Sequence, residues 1–140
     1  MNATEMRAAL FDQYGPPEVL YVGTVPKPVP GPGEVLVRVH AASVNGGELH
    51  GRAGKMRPVT GLMQRGFPKR MGLDFTGEVV ALGPDPAEPG PRLGDRVWGV
   101  LDRTFGSVAE YQVGRAAGLR VPRIECPGSG QPGDQALRGS

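Results

Sequence analysis

The sequence is poor in the residues that build metal sites and disulfide frameworks. It has one cysteine, Cys126, and two histidines, His40 and His50. A single cysteine excludes an internal disulfide and a cysteine-rich zinc site. Neither histidine has a second histidine or a carboxylate at metal-ligand spacing, so both read as non-catalytic. No apolar run approaches the roughly 20 residues that a membrane span needs. The N-terminus lacks a charged stretch followed by an apolar core, so no signal peptide is expected and a cytoplasmic location is. An excess of one charge is missing as well: 16 basic side chains face 14 acidic ones, a formal net charge of +2. That balance gives no strong pull towards nucleic acid or a membrane, and neither is expected as a partner.

Glycine and proline are plentiful, at 23 and 15 of 140 residues. Punctuation that dense between short apolar runs predicts many short strands joined by tight turns, and no long helix. A chain of this length is expected to form one domain that buries roughly two-thirds of its unfolded surface.

One stretch organises the rest: residues 34–50, EVLVRVHAASVNGGELH. Val35, Val37 and Val39 alternate with Leu36, Arg38 and His40, a period of two that predicts a strand with one buried face. Asn45-Gly46-Gly47 breaks the strand, since glycine permits backbone angles that other residues avoid. Glu48-Leu49-His50 reads as the first turn of a short helix, with a carboxylate at its positive end. The strand thus delivers Asn45 and Glu48 to one place. Asn45 is either a turn residue or a site residue, and Glu48 either a helix-terminus carboxylate or a site residue.

The other strands are expected at Met6–Asp12, Val19–Val25 (with Gly23 a candidate bulge), Asp74–Gly83, Leu93–Leu101 and Val108–Val113. Phe75, Val79 and Leu82 are core candidates, and Gly77 suggests a bend or the close approach of another backbone. Trp98 and Tyr111 read as core packing, and Asp95 as part of a turn. Pro26 to Gly33 is a stiff extended connector. Residues 51–73 read as a long loop with at most one helical turn. This loop carries Arg52, Lys55, Arg57, Arg65, Lys69 and Arg70 and no acid. It is either a solvated loop or a lip over an anionic ligand. Residues 124–140 lack periodicity and are expected to be a disordered tail. Within the tail, Gly128 to Gly133 has the spacing of a dinucleotide fingerprint. No strand precedes it, no helix follows, and Pro132 lies inside it, so it is not read as one.

The ordered series YGPPEVL, VPKPVPGPGEVLVRVHAASVNGGEL, GLDFTGEVVALG, GDRVWG and GSVAEYQV resembles the medium-chain dehydrogenase/reductase superfamily, in its zinc-independent quinone-oxidoreductase (zeta-crystallin-like) branch. The resemblance covers residues 6–122. It implies a mainly β, GroES-like, partly open barrel over residues 1–123 with one or two short helices, and no Rossmann domain in this chain. Where zinc-dependent members carry a cysteine and a histidine ligand, this sequence has Asn45 and Leu73, so the resemblance implies no metal. The activity implied is hydride transfer from NADPH or NADH to a quinone or to an activated alkene or carbonyl. The resemblance makes Asn45 and Glu48 the candidate catalytic residues and Asn45 with Gly46 the candidate cofactor contacts, with Asp74 holding the loop. It also implies that the chain alone is inactive, and that a homodimer forms in full-length members. The alternative is a non-catalytic barrel that at most binds a partner or a small ligand.

Overall fold

A computed structural model describes residues 2–101 and 105–122 of the chain. The expected tail and its glycine-rich stretch lie outside the described residues. Seven strands follow one another: β1 (Glu5–Phe11), β2 (Leu20–Pro26), β3 (Glu34–Ala42), β4 (Lys69–Arg70), β5 (Asp74–Leu82), β6 (Arg96–Val100) and β7 (Tyr111–Arg115). Two short helices, α1 (Gly46–Arg52) and α2 (Arg57–Met63), lie between β3 and β4. The strands form two antiparallel sheets, ordered β2-β1-β4 and β6-β5-β3-β7. Residues 108–110 join them, because Val108 O accepts from Ala9 N while Glu110 bonds both Arg7 O and Val39 N. The barrel is not closed.

The core follows the valine alternation. Val35, Val37, Phe75, Val79 and Val97 are buried together under Leu119. Each such side chain contributes about 1.5–3 kcal/mol relative to leaving it in water. Met6, Ala8, Leu10 and Val25 form a second cluster beneath the other sheet.

Several sequence expectations need correction. Leu36 was placed on the outer face of β3, but it is buried. The register of β3 against β5 shifts between Leu36 and Val37, which breaks the strict alternation, and Val35, Leu36 and Val37 are buried in succession. Gly23 is no bulge, because its register with Ala8 is continuous; a Cβ there would meet Leu10 Cδ1 at 2.6 Å. Residues 51–73 are more ordered than a loop: α2 makes two turns, with Pro58 in its first turn, where a missing N–H costs nothing. The last strand starts three residues later than the alternation suggests, at Tyr111, since 108–110 bridge the two sheets. Trp98 is no core residue: β6 turns Val97 and Gly99 inward and leaves Trp98 48% exposed on the outer face.

Candidate functional site

The site forms where β3 runs out. Register shifts between Leu36 and Val37 and between Val39 and Ala41 adjust the end of the strand against β5. Beyond Ala42 the chain is pinned by Asp74, the first residue of β5. Ser43 donates its backbone N–H to Asp74 Oδ1 at 3.0 Å and its hydroxyl to the carboxylate oxygens at 2.8 and 2.7 Å. Asp74 therefore holds the loop, as expected. The Ser43 hydroxyl bond holds the Asp74 carboxyl below the usual carboxylate range; burial opposes this and the Ser43 N–H reinforces it.

Asn45 then caps α1. Its backbone is extended, with φ −109° and ψ 170°. Asn45 Oδ1 accepts from Glu48 N at 3.2 Å, and Glu48 Oε2 accepts from Asn45 N at 2.9 Å. This reciprocal pair is a capping box, which satisfies two donors that a helix start otherwise leaves unpaired. The asparagine side chain is exposed and its amide NH2 donates to no described residue. Glu48 lies behind it, only 1% exposed, and its second oxygen, Oε1, is buried with no hydrogen-bond partner among the described residues. The two residues therefore sit in different positions: Asn45 faces outward, and Glu48 fixes Asn45 from below.

Gly46 and Gly47 also act differently from the expectation. Neither has a positive φ; the glycines that do are elsewhere, at positions such as Gly33, Gly72 and Gly94. They start the helix. A Cβ at Gly46 would meet nothing within 4 Å, so the backbone beside Asn45 is left bare. That openness is what a flat ring needs to approach closely.

Around this strand end lies a shallow cleft of about 330 Å³, lined by Ser43, Asp74, Thr76, Trp98, Gly99 and Val100. Its indole and valine walls suit an apolar ring, with a carboxylate at one end. A larger cleft of about 490 Å³ lies between β6 and β7, against Phe75 and Leu119, and includes none of the predicted site residues. A cavity of about 10 Å³ sits against Glu48, Arg52, Gln64 and Arg70.

The six basic residues of 51–73 do not act as one lip. Arg52 is buried and donates through Nε to Gly15 O at 3.2 Å. Lys69 is buried too; its ammonium donates to Gln64 O and stands 4.9 Å from the Phe67 ring centroid. Arg57 lies over the Tyr14 ring at 5.2 Å. Sequence reasoning missed two positioning residues. Ser43 is the group that secures Asp74. Gln64 clasps the backbone of Arg70 from both sides, donating to its O at 3.0 Å and accepting from its N at 2.7 Å. A lone serine or glutamine carries no periodic signal that could have marked either. Asp95 behaves as read: Asp95 Oδ2 accepts from Arg92 N at 2.9 Å in the turn before β6. His40 and His50 are exposed.

The strand end presents Asn45 and, just before β5, Leu73. Among the described residues no three His, Cys, Asp or Glu side chains converge. Leu73 offers no lone pair, and an amide is a poor ligand where family sites use thiolate or imidazole.

Replacing Ser43 by alanine is expected to raise the Asp74 pKa to the ordinary carboxylate range. Because the native pKa is depressed, the stabilisation is complete above the unfolded value of about 4 and disappears as pH falls through the native value. The variant should lose that advantage at neutral pH and depend less on pH below about 4. A carboxyl NMR titration of Asp74 in both proteins checks this; an unchanged midpoint contradicts it.

Comparison with known proteins agrees with this fold. The family described as the alcohol dehydrogenase GroES-like domain matches residues 31–123. The chain is 38% identical over 110 residues to the chloroplastic quinone-oxidoreductase QR1 of Triphysaria versicolor, covering 77% of this chain and 32% of that protein. The structure of the quinone oxidoreductase from Coxiella burnetii superposes with a TM-score of 0.76 at 34% identity, over 84% of this chain and 37% of that one. A mycobacterial protein solved with NADPH superposes with a TM-score of 0.67 at 28% identity, over 86% of this chain and 33% of that one. The chain thus spans about a third of the length of the relatives it matches.

Proposed function

The chain belongs to the alcohol dehydrogenase GroES-like domain family, and from that membership we propose that it is the catalytic-domain portion of a zinc-independent, NAD(P)H-dependent oxidoreductase. The substrates on this reading are quinones and activated alkenes or carbonyls, which need little polarisation to accept a hydride. The observation that carries it is the Asn45 side chain, held outward by the capping box beside the bare Gly46 backbone, two residues along the chain from Ser43 in the wall of an apolar cleft. Bound NAD(P)H supplies the hydride. Asn45 donates its free amide N–H to the substrate oxygen or to the ribose end of the nicotinamide, and Gly46 lets the ring approach. Glu48 positions Asn45 and touches no substrate. Trp98 and Val100 form an apolar wall for a flat ring, where exclusion of water strengthens the Asn45 hydrogen bond. The metal-poor donor set at Asn45 and Leu73 supports zinc independence.

The described residues hold no doubly wound sheet to bind a dinucleotide, so the 140-residue chain by itself is expected not to turn over NAD(P)H. The test grafts this chain in place of the N-terminal domain of the Coxiella burnetii quinone oxidoreductase. The graft should reduce a simple quinone with NADPH, and the chain alone should not. A folded graft that binds NADPH without reducing quinone, or saturable NADPH oxidation by the chain alone, would contradict the proposal.

A further inference from the structure

Between Glu48 and Asp74 the chain has no acidic residue. The fold turns Arg52 and Lys69 inward, while Lys55, Arg57 and Arg65 stay on the outside together with His50. Large apolar side chains are partly exposed among these cations: Leu62 is 76% exposed, Val59 47%, Phe67 46% and Met56 39%, with the inner edge of Phe67 packed against Phe11 and Tyr14. Val59 and Leu62 are three residues apart on α2 and share one face, and Met56 lies in the turn just before the helix.

A single exposed valine needs no explanation, but an apolar stripe bordered by one sign of charge has the composition of an interfacial segment. We propose that α2, with Met56 and Phe67 at its flanks, docks this protein on an anionic bilayer surface. The apolar stripe enters the boundary between headgroups and acyl chains, and Lys55, Arg57 and Arg65 lie against the lipid phosphates. The charge favours a bilayer over a neutral protein groove, which would gain nothing from cations with no acid between them. The net charge of +2 conceals this patch, because the acids lie outside this segment. No helix among the described residues is long and apolar enough to cross a membrane, so the contact is peripheral. It sets α1, which begins beside Asn45, near the phase into which apolar quinones partition. The inference does not depend on the catalytic reading.

The test is co-sedimentation of the 140-residue chain with vesicles of phosphatidylcholine alone and with vesicles rich in phosphatidylserine. Binding is expected only to the second, weakening as salt screens the headgroups. Neutralising Lys55, Arg57 and Arg65 to glutamine should lower the affinity roughly 100-fold, at about fivefold per cation. The double variant Val59→Asp, Leu62→Asp should abolish binding. Both sets of positions are exposed, and an unchanged thermal melt confirms that the variants are folded. No binding to the anionic vesicles overturns the proposal, as does equal binding to both vesicle types or binding that survives the double variant. Retention on heparin with none on vesicles also overturns it, assigning the patch to a soluble anion.

Discussion

Replacing Gly77 by alanine is expected to cost about 3 kcal/mol or more, the upper end of what overpacking costs. A Cβ at this position would lie 2.0 Å from Arg38 O and 2.8 Å from Val37 Cγ1. The obstacle is backbone, in the central strand β3, which is paired on both sides. It cannot rotate away as the tip of a long side chain can. Relief requires β5 to move off β3, and Phe75 and Val79 leave the core with it. Gly46→Ala is the matched control: nothing lies within 4 Å of its Cβ, and the site is helical, so its stability should change by less than about 1 kcal/mol. Urea melts of the two variants should separate clearly. Similar midpoints would mean that β5 does not approach β3 as closely as described.

The second large effect concerns Asn45. In the grafted oxidoreductase, Asn45→Asp keeps an oxygen to accept from Glu48 N but loses the amide N–H that faces outward. Quinone reduction should fall by about two orders of magnitude, the usual cost of removing one well-placed donor, while the melting temperature stays near that of the parent. Asn45→Ala removes donor and cap together, so the same fall in kcat/KM should come with about 1 kcal/mol of lost stability. Activity that tracks only the stability loss would make Asn45 a cap and nothing more. Glu48→Gln should leave most of the activity in place if Glu48 only positions the asparagine.

Much of this was legible in the residues. Valine alternation placed β3 and its inward face, and Gly77, interrupting the strand from Asp74, signalled the backbone approach that occurs. The break at Asn45-Gly46-Gly47 and the carboxylate of Glu48 marked the start of α1, while the reciprocal capping box between Asn45 and Glu48 emerged only from the fold. The sequence misled where the cause is tertiary. Leu36 is buried where the pairing with β5 shifts register, which the order of residues along β3 does not encode. Trp98 looked like core until the register of β6 put Val97 and Gly99 inside. The basic segment looked uniform, yet contacts with Gly15 and Gln64 divide it into inward and outward cations. The hold of Ser43 on Asp74 joins residues 31 positions apart, a distance that no local pattern bridges.

The most direct test of the central claim is NADPH-dependent quinone reduction by the grafted enzyme after exhaustive chelation and removal of metal. The account predicts full turnover without zinc, since Asn45 and Leu73 leave no set of ligands to hold it. Activity that vanishes on chelation and returns with added zinc would contradict it.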